Sequence, residues 1–114
     1  MPNLTITTLW TDCNVKNTCP GEHRVAERPD VHYVITRVVT DQAAADAYLT
    51  AHGLRLQRGE VLGEVPAEMS PDGYLISRLV TDAVELAVFA DRMGPGEQLG
   101  TIPARDRALL GAGA

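Results

Sequence analysis

Four side chains of metal-ligating type fall within twenty residues: Cys13, Cys19, His23 and His32. Thiolate and imidazole are the ligands that structural zinc takes. The spacing, C-x5-C-x3-H-x8-H, is wider than the cysteine pairing of zinc modules. Three readings follow. A free or structural thiol pair comes first, then a zinc site built from all four residues, then a disulfide should the compartment be oxidising. A second constellation is ionic. Arg37 and Arg78 stand inside apolar runs, and Glu60 and Glu97 recur in step with them. A guanidinium in a buried strand needs a partner, because desolvation costs several kcal/mol. The expectation is therefore an ion pair within each half of the chain. A pair of anion or ligand sites flanked by Tyr33 and Tyr74 is the functional alternative. Signatures of catalysis are sparse. The two serines, Ser70 and Ser77, lie outside any G-x-S-x-G elbow, and no glycine-rich phosphate loop is present. An enzyme built on this chain would draw on Tyr33, His32 and His52 around a pocket between helix and sheet.

The elements that must position these groups come from a duplication. Tyr33-Val34-Ile35-Thr36-Arg37-Val38-Val39-Thr40-Asp41 returns as Tyr74-Leu75-Ile76-Ser77-Arg78-Leu79-Val80-Thr81-Asp82, with six of nine positions identical at an offset of 41. At an offset of 37, Gly59-Glu60-Val61-Leu62-Gly63-Glu64-Val65-Pro66-Ala67 returns as Gly96-Glu97-Gln98-Leu99-Gly100-Thr101-Ile102-Pro103-Ala104, again with six of nine identical. Each copy reads strand, helix, strand. The runs 33–39 and 74–80 are β-branched and apolar on both faces, which suits strands covered on both sides. Asp41 and Asp82 are N-caps, and Asp82 with Glu85 resembles a capping box. The helix 82–93 gathers Leu86, Phe89, Ala90 and Met93 on one face, and 45, 48, 49 and 52 are the equivalent positions. His52 stands where the other copy has Met93, so packing is its first reading. Gly53 and Gly94 follow the helices at the position that favours left-handed backbone. Gly63 and Gly100 sit inside the last strands, where glycine often marks a bulge.

The chain therefore reads as one α+β domain: a strand and Cys/His loop over 1–31, a first repeat over 32–69 and a second over 73–110. The order β-α-β-β-α-β is ferredoxin-like, with an extra N-terminal strand over 4–11. An intertwined pseudo-dimer of swapped hairpins is the alternative, and a faint third copy over 4–22 competes with a plain strand. A last helical turn is expected over 105–110.

Cys19-Pro20, Tyr33-Val34, Val38-Val39-Thr40-Asp41 and Glu60…Glu64-Val65-Pro66 together resemble a group of short actinobacterial proteins of unknown function. These carry one C-P…Y-V…V-T-D…E-x-x-V-E-[VI]-P unit. The likeness spans residues 19 to 69, and residues 74 to 104 look like a second copy without the cysteine. It implies a bacterial regulatory or accessory protein and supplies no catalytic residues.

Composition narrows the classes. The chain has 114 residues, 45% of them hydrophobic, and a net charge of −5. A negative surface repels phosphate, which disfavours nucleic-acid binding. No apolar run approaches the ~18 residues of a membrane span, and the start of the chain lacks a secretory pattern. A cytoplasmic setting is expected. One lysine against nine arginines fits a GC-rich bacterial genome. The leading function is a small non-enzymatic interaction or regulatory module, acting as a homodimer or with a protein partner. A ligand- or zinc-binding regulatory domain is the second reading and a small enzyme the third. No cofactor is expected beyond zinc.

Overall fold

A computed structural model describes residues 4–11 and 20–105. Its elements are β1 (Ile6–Thr11), β2 (Gly21–Val25), β3 (Val31–Val38), α1 (Gln42–Ala51), β4 (Glu60–Glu64), β5 (Tyr74–Leu79), α2 (Ala83–Phe89) with a 3-10 turn (Ala90–Arg92), and β6 (Glu97–Pro103). The architecture is mixed α+β, with six antiparallel strands in one sheet and two helices. The strand order is β1-β2-β3-β4-β5-β6, and a further pairing between β3 and β6 closes the last four strands on themselves.

The register follows the sequence repeat. The first strand of each copy pairs along its length with the last strand of the other: Arg37 lies opposite Glu97, and Arg78 opposite Glu60. Within each copy the same two strands touch only at their ends, Arg37 with Glu64 and Arg78 with Thr101. A ferredoxin-like sheet would set β3 beside β5 at its centre. That pairing is not among those of the described strands, and the short within-copy pairs take its place.

The glycines inside β4 and β6 explain the difference. A Cβ on Gly63 would overlap the Thr36 side chain, and a Cβ on Gly100 would overlap Ser77. The two glycines are repeat mates, and so are Thr36 and Ser77. Removing the Cβ lets the end of each first strand close on its own last strand. The ladder between β4 and β5 runs from Glu60 to Glu64 without a register shift. These glycines therefore serve close approach and not the bulge expected of them.

The helices start as expected. Asp41 accepts the Ala44 amide at 3.1 Å and Asp82 accepts the Glu85 amide at 2.9 Å. The capping box is half made, because the Glu85 carboxylate turns to Tyr33 instead of its own helix start. Gly53 has φ +63 after α1, whereas Gly94 has no positive φ, and the positive φ of Gly96 (+79) matches that of its mate Gly59 (+86) in the turn before the last strand.

β3 runs between two apolar clusters, one on each face. Tyr33 and Ile35 join Val25, Phe89 and Leu99 on one side. Val34 joins Val65, Met69 and Ile102 on the other. The expectation of a strand buried on both faces holds for β3 and weakens for β5, whose Tyr74, Leu75 and Ile76 are only half buried. The N-terminal strand is β1. The segment expected as a Cys/His loop contains a second strand, β2, paired with both β1 and β3. Its sequence, Gly-Glu-His-Arg-Val, has little strand propensity, so its conformation comes from pairing on both edges.

Candidate functional site

The two histidines of the Cys/His set lie on neighbouring strands, but on opposite faces. His23 is paired in register with Tyr33, and its ring lies 5.7 Å from the ring of Phe89. His32 is the residue before Tyr33, so its side chain takes the other face. There its Nδ1 lies 2.7 Å from Glu22 Oε2. The two imidazoles cannot meet at one ion in this arrangement, so a zinc site would rest on the cysteines with at most one of them. Cys13 and Cys19 lie outside the described residues. Among the described residues, no three His, Cys, Asp or Glu side chains are grouped to hold a metal.

His32 belongs instead to a buried ionic knot. Glu22 is fully buried, and Arg105 reaches it through Nη2 at 2.7 Å and through Nε at 3.1 Å. The same Nη2 donates to the Met69 carbonyl at 2.9 Å. An ionised carboxylate only accepts, so His32 donates from Nδ1. The paired geometry of the guanidinium makes this a strong charge-assisted contact. It ties the end of β6 to β2 and to the turn before β5. Chemically this is a clamp, since both oxygens of the Glu22 carboxylate meet Arg105, and one of them His32 as well.

A second polar group surrounds the Tyr33 hydroxyl. It donates to Glu85 at the start of α2, and Arg28 Nη1 lies 3.3 Å from the same carboxylate oxygen. Burial and the neighbouring Glu85 carboxylate push the Tyr33 phenol up to about 12. These residues border a groove of about 430 Å³ with Leu4, Asp82 and Val84. The group holds the Arg28 turn and the α2 start against β3. Its phenol stays protonated through the neutral range and is a poor general base.

His23 is the unusual imidazole. It is 3% exposed, and its Nε2 has no hydrogen-bond partner among the described residues. Its Nδ1 meets the Thr8 hydroxyl at 3.1 Å. Burial first, and then the Arg92 cation, lower its pKa to about 4, against an opposing pull from Glu22. It is a neutral packing group in the core.

The arginine–glutamate pairs take another form than expected. Arg37 and Arg78 are exposed, and no ion pair to either is present among the described residues. Each faces its glutamate across the copies and not within one. The glutamates instead fold back on the preceding turn: Glu60 accepts the Gln57 amide at 2.6 Å and Glu97 accepts the Gly94 amide at 2.7 Å. Gln57 and Gly94 each stand three residues before the glutamate they bond. The recurrence of Glu60 and Glu97 thus records a conserved turn within the duplication, and the strand carrying each arginine presents it to water at no desolvation cost. Tyr33 is fully buried, while its mate Tyr74 is half buried against Tyr48, with ring centroids 4.7 Å apart. His52 is exposed and lies beside Tyr48, at 4.5 Å. His32, Tyr33 and His52 therefore do not share a pocket: His32 and Tyr33 take opposite faces of β3, and His52 ends α1.

Reading the repeat for its identities missed Glu22, Arg28, Glu85 and Arg105. The signal lay in its departures. Glu85 replaces Ala44 and Arg105 replaces Glu68 at matched positions, and both are the residues that bond the N-terminal hairpin to the duplicated unit. Comparison of the chain with family models, with curated proteins and with solved structures finds no match.

Proposed function

We propose that this chain is a small non-enzymatic interaction module of a bacterial cytoplasm, working as a homodimer or on a protein partner through the side formed by its first repeat. The duplicated unit serves as an intertwined pseudo-dimer scaffold, in which each copy lends its first strand to the other. The observation that carries the reading is the inequality of the two helices. Phe89 on α2 is fully buried, stacked on Tyr33 with centroids 5.1 Å apart. On α1 only Ala45 is buried. Around α1, Val38, Leu54 and Leu56 are 45%, 41% and 36% exposed, against Leu79 at 39% and Val84 at 38% on the α2 side. Apolar side chains gathered at the surface mark sites where another surface docks. The two buried polar clusters are engaged internally, Glu22 with His32 and Arg105, and Tyr33 with Glu85 and Arg28, which leaves Arg37 and Arg78 as the exposed cations of the pair of positions expected to take a ligand.

A photo-cross-linking residue placed at Leu56 in the native host tests this. The expected outcome is a discrete adduct, with a second copy or with one other protein, that is absent when the probe stands at exposed Asp91. Equal, diffuse labelling from both positions contradicts the reading.

A further inference from the structure

We propose that the cavity between α1 and the start of β4 takes a leucine side chain from an acidic segment of a partner protein. The proposal rests on the interaction reading and names the anchor of that interface. The cavity measures about 230 Å³ and is walled by Val38, Val39, Ala45, Leu49, Leu56 and Leu62. Sites for drug-sized ligands run from roughly 300 Å³ upward, so this space suits one side chain better than a metabolite. An apolar side chain seated in a pocket is a common centre for an interface. Aromatic anchors are the more frequent kind; the repeat points here to leucine.

The second copy shows what fills the equivalent space. There Leu86 and Met93 pack against the cluster of Val80, Phe89 and Leu99. Their mates in the first copy are Ala45 and His52. Ala45 is buried but carries a methyl where Leu86 carries an isobutyl group, and His52 is exposed beside Tyr48. Leu49 is half buried where its mate Ala90 is exposed, and it walls the opening without closing it. Val39 is accordingly half buried where its mate Val80 is buried. Leu99 lies within an apolar cluster, whereas its mate Leu62 joins neither of the two. The floor is held in place, because Gln98 Nε2 donates to the Thr36 hydroxyl at 3.2 Å and to the Leu62 carbonyl at 3.4 Å. The space is therefore one that the duplication fills with its own leucine on one side only.

Charge selects the segment that brings the leucine. The connection over 52–59 is exposed throughout, and it sets Arg55 and Arg58 beside Leu54 and Leu56 with no carboxylate. No ion pair to either guanidinium is present among the described residues. Arg78 adds a third cation, its Nη1 lying 3.4 Å from the Arg58 carbonyl. Glu60 is the one carboxylate that lines the cavity, and it turns to the Gln57 amide. On a chain with a net charge of −5 this mouth is locally positive, which favours carboxylates on either side of the incoming leucine.

The test uses the full chain, labelled for methyl resonances, and a blocked peptide Glu-Asp-Leu-Asp-Glu. One control peptide has alanine at its centre, and another has lysine in place of every acid. The expected result is saturable shifts of the Val39, Ala45 and Leu62 methyls with the acidic leucine peptide, reduced by salt and about tenfold weaker or more with either control. Ala45→Leu supplies the missing branch. It is expected to raise the melting temperature by about 4 °C and to abolish the peptide shifts. No shift at millimolar peptide overturns the proposal, as does an equal response to either control. A lower melting temperature in Ala45→Leu also overturns it, because the space is then already filled by the chain itself. Shifts of the Leu54 and Leu56 methyls with phosphatidylserine vesicles, and none with the peptide, assign the patch to a lipid surface and overturn it too. The cross-link at Leu56 keeps the two claims apart: an adduct undiminished in Ala45→Leu overturns the anchor and leaves the interaction reading standing.

Discussion

At the scale of single residues, the polar groups of this chain hold elements together. Glu22 is the clearest case: a buried carboxylate is tolerable only because Arg105 and His32 both reach it. Ser77 shows what the repeat does not guarantee. Its mate Thr36 accepts from Gln98 at 3.2 Å, but the mate of Gln98 is Val61, and the Ser77 hydroxyl is left without a partner among the described residues. His23 supplies a pH dependence. Its pKa is lowered from 6.5 to about 4, so between those values the unfolded chain binds a proton that the folded chain refuses. Stability is then full above pH 6.5 and falls as the pH drops toward 4, by on the order of 3 kcal/mol in all. Denaturant titrations across that range, on the natural chain and on His23→Gln, measure it. The variant is expected to lose much of the acid sensitivity, and an unchanged slope would remove His23 as its source.

At the scale of elements, the duplication is legible because its strands and helices repeat as residue patterns. The apolar run from Tyr33, the Asp41 and Asp82 caps and the Leu86–Phe89 spacing are all local signals. Partner choice is not local. Nothing in the run around Glu60 says that its strand pairs with β5 of the other copy and touches β3 only at its end. The ionic reading of Arg37 and Arg78 failed for that reason: it assumed burial from the apolar neighbours, while both positions lie where the strands end and water enters. The β2 strand was illegible because its residues are polar and its order comes from two neighbours. Gly63 and Gly100 were legible as special, but not for the right cause. They make a sharp prediction. Gly63→Ala and Gly100→Ala each force a methyl into Thr36 or Ser77. Each should cost about 1–3 kcal/mol or more by overpacking, read as a fall in the denaturation midpoint. Gly53→Ala, which has no atom within 4 Å of its added methyl, pays only for its positive φ. Equal loss at all three positions would refute the close-approach role.

At the scale of the whole molecule, the central feature is a pseudo-twofold unit whose symmetry is broken by its N-terminal hairpin. β1 and β2 cover the edge of β3 and the α2 side, and Arg28, Glu85, Glu22 and Arg105 fasten them there. The matching edge of β5 and the α1 side carry no described cover. Among the described residues no helix is long and apolar enough to cross a membrane. The proposed interaction role needs this asymmetry between the two halves, and site-resolved amide hydrogen exchange on the free protein tests it most directly. Local opening is read separately from global unfolding by this method. The Tyr33 and Ile35 amides, directed at β2, are predicted to exchange only through the largest opening of the fold. The Tyr74 and Ile76 amides, directed away from β4, are predicted to exchange orders of magnitude faster. Equal protection at the two pairs of mates would mean that the β5 edge is already covered within the chain, and would contradict the account.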